Sequence, residues 1–99
     1  MLNYDDKRNF YRMLLNSEVV ITILDDEAHT KLFATCRDLS ATGMAVELSH
    51  PIEMGTAVRM KIESLNNNVQ AFDASGKVVR IVEENSDCYV IGITIQDLD

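Results

Sequence analysis

Residues 57–63 read Ala57-Val58-Arg59-Met60-Lys61-Ile62-Glu63. Val58, Met60 and Ile62 fall on one face, and Arg59, Lys61 and Glu63 on the other. A period of two with one charged face marks a β-strand that covers a core on one side and meets water on the other. The reading extends in both directions. Residues 19–24 are rich in β-branched side chains and read as a strand. Asp25-Asp26-Glu27-Ala28-His29 is a polar break, and residues 31–38 resume as a strand, so the two form a hairpin. Residues 43–48 are a third short strand, ended by Ser49-His50-Pro51, because proline lacks the N–H that a ladder needs. Beyond residue 63, Asn66-Asn67-Asn68 is a turn. Residues 69–82 form a long strand with a bulge or bend at Ser75-Gly76. Residues 83–87 are a polar turn, and residues 88–95 the last strand, with Gly92 inside it. Six strands at this spacing predict an all-β domain, a small antiparallel barrel or sandwich. Closure of the sheet would remove its exposed edges. Only the first fifteen residues differ: Phe10, Met13 and Leu14 stand at helical spacing, which suggests a short helical turn.

The bulk numbers agree with one compact domain. The chain has 99 residues, 46% of them hydrophobic. That is enough for one core and too apolar for a disordered chain. The formal net charge is -7, which argues against general binding to nucleic acid or to an anionic membrane surface. A small anionic ligand held by a local basic cluster is compatible with it. Cys36 and Cys88 have no metal-like spacing. No signal peptide and no membrane-length apolar run is visible, so a cytoplasmic location with two reduced, buried thiols is the simplest expectation. His29 and His50 lie in expected loops without a ligand cluster, so no metal site is expected. Nothing resembles a P-loop or a dinucleotide fingerprint, and no cofactor is expected.

Two short motifs carry the chemistry. The first is Arg8-Asn9-Phe10-Tyr11-Arg12, preceded by Lys7. A guanidinium grips phosphate bidentately, pairs with the O6/N7 edge of guanine, or stacks on the base. The second is Asp38-Leu39-Ser40-Ala41-Thr42-Gly43, preceded by Arg37. An ionised carboxylate accepts from guanine N1–H and N2–H, a hydroxyl serves base or phosphate, and Gly43 leaves room for a ligand. Each motif alone has an ordinary reading. Arginines four apart are common, and Asp5 and Asp6 would balance them on a solvated segment. Asp, Ser and Gly are usual turn residues, with glycine allowing positive φ or close approach. Arg37 is either a further phosphate contact or an outward-facing strand residue paired with an acid.

The combination is more specific. The order of the motifs, one hairpin apart, and the all-β pattern after them resemble the PilZ domain, which binds the bacterial second messenger cyclic di-GMP. The resemblance covers essentially the whole chain, including Gly76-Lys77-Val78-Val79-Arg80 and Ile91-Gly92-Ile93. It implies a small six-stranded antiparallel barrel over residues 18–96 and a flexible N-terminal switch arm over residues 1–14. It also implies a non-enzymatic sensor or effector that reorders its arm on binding cyclic di-GMP and signals to an unidentified downstream protein. By position, Arg8 and Arg12 match the motif that contacts guanines and phosphates from the arm. Asp38, Ser40 and Gly43 match the motif on the barrel. Lys7, in the position before the first arginine, fits the binding of an intercalated ligand pair rather than one molecule. Many members continue into a C-terminal helix. Here Asp97-Leu98-Asp99 comes last, so either this is a minimal member or a longer chain has been shortened. A monomer or weak homodimer is expected, with no nucleic-acid partner and no membrane insertion. The rival expectation is an adaptor that binds no nucleotide and uses the same barrel to meet a protein partner.

Overall fold

The computed structural model describes residues 14–62 and 72–98. Within them the chain is all-β. Its six strands are β1 (Glu18–Ile23), β2 (Lys31–Leu39), β3 (Gly43–Leu48), β4 (Ala57–Ile62), β5 (Phe72–Asn85) and β6 (Cys88–Leu98). They close into an antiparallel barrel in the order β1-β2-β3-β6-β5-β4. The barrel, rather than the sandwich, is the outcome. The expected helical turn at Phe10 and Met13 and the turn at Asn66-Asn67-Asn68 lie outside the described residues. Among the described residues no helix is long and apolar enough to cross a membrane.

Alternation along each strand sets the interior. Val58, Met60 and Ile62 point inward and are fully or almost fully buried. They meet Val19, Ile21, Ala34, Cys36, Val46, Ala74, Ile91 and Ile93 in one continuous core. No polar or charged side chain among the described residues is buried there, so the interior carries no desolvated charge. Leu14, the last residue assigned to the arm, already belongs to this core at 2% exposure. A turn at residues 14–16 fixes it: Ser17 N donates to the Leu14 carbonyl and Asn16 N to the Cys36 carbonyl. Asn16 takes φ of 67°, a left-handed conformation that asparagine tolerates better than most residues. The polar break after β1 is also tied down. Asp26 Oδ1 accepts from Ala28 N, and Asp25 Oδ2 accepts from Ala57 N at 2.9 Å, which joins that turn to the start of β4.

Two expectations about β5 and β6 need correction. Residues 83–87 are not all turn: β5 continues to Asn85, with Glu83 opposite Tyr89 and Asn85 opposite Cys88. Only Ser86 and Asp87 form the turn, where Asp87 N donates to Asn85 Oδ1. The polar run is compatible with pairing because this end of the hairpin carries exposed side chains and needs no apolar face. At the other end β6 runs to Leu98 rather than Ile95, opposite Ala74. The irregularity at Ser75-Gly76 is present, and its cause is contact. A Cβ on Gly76 would lie 1.8 Å from the carbonyl oxygen of Thr94, so only glycine lets β5 and β6 approach this closely.

Candidate functional site

Two bulges decide which side chains reach the surface beside the second motif. In the β2–β3 pair, Cys36 faces Val46 and Asp38 faces Ala45, so Arg37 is the extra residue. In the β5–β6 pair, Val78 faces Ile93 and Arg80 faces Gly92, so Val79 is the extra residue. A bulge shifts the alternation by one. Without them, Asp38 and Arg80 would share the inward parity of the buried Cys36 and Val78. With them, both turn outward.

The register then aligns four strands. Asp38 pairs with Ala45, Ala45 with Gly92, and Gly92 with Arg80. One row across β2, β3, β6 and β5 therefore carries an acid at one side and a guanidinium at the other. Between them stand the two smallest side chains available. Three inter-strand steps place the backbones of Asp38 and Arg80 about 14 Å apart. The result is a groove of about 440 Å³, lined also by Ser40, Thr42, Gly43 and Thr94. That volume lies within the usual range for small-molecule sites. Arg80 runs over Gly92, where a Cβ would come within 3.2 Å of its own Cβ.

The turn between β2 and β3 is held from several sides. Ser40 N donates to the Gly43 carbonyl, and Ile95 N donates to the Thr42 carbonyl, both at 2.9 Å. Thr42 N donates to Ser40 Oγ at 3.3 Å. Leu39 N donates to Asp38 Oδ1 at 2.9 Å. Among the described residues, Asp38 Oδ2 accepts no hydrogen bond, and the side chain is exposed. Gly43 does not use positive φ, which among the described glycines occurs only at Gly55. Its role is close approach: a Cβ there would stand 3.1 Å from the Ile93 carbonyl oxygen. The structure thus brings Asp38, Ser40 and Gly43 to one groove.

Arg37 is placed elsewhere. It does not line the groove, and its NH1 lies 2.6 Å from Glu47 Oε1 and 3.6 Å from Glu84 Oε1. Lys7, Arg8 and Arg12 lie outside the described residues. Arg80 is the groove residue that the strand reading missed. A signal was present: Val78-Val79 and Arg37-Asp38 each place two residues of one character side by side in a strand, which strict alternation forbids.

Among the described residues, Glu47, Glu84 and Cys88 form one group of metal-type donor atoms, all within 4.8 Å of one another. The Arg37 guanidinium already faces both of its acids. Cys88 is half-buried rather than buried, because it begins the outer end of β6. Hydrogen bonding to Glu47, with burial second, pushes its thiol up to about 11. Burial pushes the Cys36 thiol up to about 11 as well. Thiolate, not thiol, is the nucleophile. At pH 7.5 both cysteines are therefore expected to react with a disulfide reagent at least tenfold more slowly than a free thiol. Denaturation should restore the ordinary rate, and stopped-flow absorbance reads both.

Comparison with known proteins adds three findings. The sequence profile described as "PilZ domain" matches residues 6–99. Among solved structures, the fold is similar to that of the Bacillus subtilis inhibitor of motility, MotI/DgrA, with a TM-score of 0.61 and 17% sequence identity. That match covers 85% of this chain and 40% of the other, so this chain spans well under half of its length. A search of curated proteins finds no match. The profile spans nearly the whole sequence, and the closed six-stranded barrel agrees with it: the chain belongs to the PilZ domain family.

Proposed function

We propose that this domain binds cyclic di-GMP as a sensor or effector, closes its N-terminal segment over the ligand, and signals through that change to a partner protein. The row Asp38–Ala45–Gly92–Arg80 is the observation that carries the reading. It offers a guanine edge one carboxylate oxygen already oriented by Leu39 N and a second that accepts nothing among the described residues. It offers a phosphate or a base face one guanidinium. The floor of Ala45 and Gly92 leaves a flat ring room to lie between them.

In this reading Arg8 and Arg12, with Lys7 beside them, come from residues 1–14 and complete the cationic side. Ser40 and Gly43 hold the turn and leave space above it. Leu14, anchored in the core, ties the segment to the barrel. Arg37 would join only by leaving Glu47. The domain acts as a binding module rather than an enzyme. The switch couples ordering of a segment to ligand charge. A few charge-assisted hydrogen bonds at roughly 1.5–3 kcal/mol each, less the cost of ordering, give about micromolar affinity.

The Asp38→Ala variant tests the assignment. It removes the acceptor for guanine and leaves the cations in place. Affinity for cyclic di-GMP is expected to fall about 10- to 100-fold. Discrimination against cyclic di-AMP should narrow by a similar factor. Equal discrimination in the variant and the parent would remove Asp38 from the role.

A further inference from the structure

The barrel wall centred on β1 carries a second groove. In the closed order β1-β2-β3-β6-β5-β4, β1 is three strands from β6 in either direction. This wall therefore faces away from the groove between Asp38 and Arg80. The second groove has a volume of about 540 Å³. Its floor is Val20 and Thr22 of β1. Lys31 and Phe33 of β2 form one side, and Arg59 and Lys61 of β4 the other. The register makes two rows, Phe33–Val20–Lys61 and Lys31–Thr22–Arg59.

Its chemistry departs from the rest of the surface. The chain carries a net charge of -7, yet this face gathers three fixed cations. Arg59 is engaged by Asp73 through two hydrogen bonds at 2.8 and 2.6 Å. Neither Lys31 nor Lys61 lies within ion-pair distance of an acid among the described residues, although Lys61 stands opposite Asp73 and helps, after Arg59, to hold its carboxyl below the usual range. Phe33 is 66% exposed, more than any other large hydrophobic residue described. Phe33 stands two residues from Lys31 along β2 and across Val20 from Lys61, so one groove joins an exposed aromatic side chain to two cations.

The type of partner can be read from the same facts. A closed barrel offers no free strand edge, so strand addition is excluded here and side chains must do the recognising. Nucleic acid would meet the net negative field of the whole domain. A second copy packed two-fold on this face would set Lys31 and Lys61 against their own counterparts. A short acidic segment carries a few charges rather than one per nucleotide, so the same field opposes it less, and Lys31 and Lys61 complement its carboxylates locally. We propose that the groove docks an acidic segment of a partner protein, with an apolar side chain over Phe33 and Val20 and carboxylates at Lys31 and Lys61. This deepens the partner half of the preceding reading. It does not depend on nucleotide binding.

The test is a selection of phage-displayed 12-residue peptides on the whole chain without nucleotide. Binding of the enriched peptides is then measured by fluorescence polarisation to the parent, Phe33→Asp and Lys61→Glu. Both substitutions are at exposed positions, and thermal melts check that each variant stays folded. The expected peptides are net acidic with an apolar residue. Their affinity should fall at least tenfold in each variant and weaken as salt rises. Basic peptides, equal binding to both variants, or no enrichment over the bare support would overturn the proposal. Self-association of the parent that Phe33→Asp abolishes, seen by sedimentation equilibrium, would assign the face to a second copy instead and also overturn it. A chain that shows no heat with cyclic di-GMP but passes this test keeps the docking surface and loses the sensor.

Discussion

Replacing Gly76 by alanine is expected to unfold the barrel or bring it close to unfolding. The added Cβ would lie 1.8 Å from the Thr94 carbonyl oxygen and 2.9 Å from its carbon. Both are backbone atoms, so no side chain can turn aside. Relief requires β5 and β6 to separate where they hold the barrel closed. The loss should be on the order of 4 kcal/mol or more, against a total of roughly 5–15 kcal/mol for a domain of this size. At about 4–8 °C per kcal/mol, the melting temperature should fall by at least about 15 °C. Gly55→Ala is the contrast. Gly55 has open space around its missing Cβ but takes φ of +83°, so that substitution should cost only about 1–2 kcal/mol of backbone strain. Melts of the two variants followed by circular dichroism separate the cases. A Gly76→Ala protein that melts near the parent would contradict the packing described.

The second large effect concerns the cations. Arg8→Ala or Arg12→Ala should each weaken cyclic di-GMP binding by about 10- to 100-fold, and the two together should leave none measurable. Charge is the reason. A domain with net charge -7 repels a dianionic ligand at long range, so local guanidinium groups must supply the attraction. Arg80→Ala should fall in the same range, because its guanidinium is the positive group that the barrel itself contributes to the groove. Gly92 lies beneath that side chain, so Arg80→Ala opens the groove without displacing a core residue. Unchanged affinity on calorimetry in all three variants, with melts like the parent, would mean that the ligand does not bind in this groove.

Much of this architecture is legible in the sequence. Val58, Met60 and Ile62 announce an inward face by spacing alone, and burial agrees with it. Gly76 breaks a long strand pattern, and the register shifts there. The motif of Asp38, Ser40 and Gly43 does form a turn bound to its neighbours. Val78-Val79 and Arg37-Asp38 break strict alternation in the sequence, but neither strand alone shows that the break is a bulge or which residue is the extra one. A bulge at Arg37 or Val79 is defined by the partner strand, which has no extra residue to match it. Spacing within one strand therefore assigns the residues beyond the bulge to the wrong face. For that reason Arg80 reads as an ordinary strand residue, although the fold turns it toward Asp38. The length of β5 is hidden for a related reason: Glu83, Glu84 and Asn85 look like a turn because they bury nothing. Their strand character comes from pairing with β6, which composition does not encode.

The row that sets Asp38 and Arg80 about 14 Å apart across Ala45 and Gly92 is the proposed seat of a guanine nucleotide. Calorimetric titration of the whole chain with cyclic di-GMP, beside cyclic di-AMP, tests this most directly. Saturable heat with an affinity of about micromolar is expected, and little or none with the adenine analogue. The same curve gives the stoichiometry, with two ligands per chain expected if Lys7 supports an intercalated pair. No heat with cyclic di-GMP, or equal heat with both nucleotides, would contradict guanine recognition by this barrel.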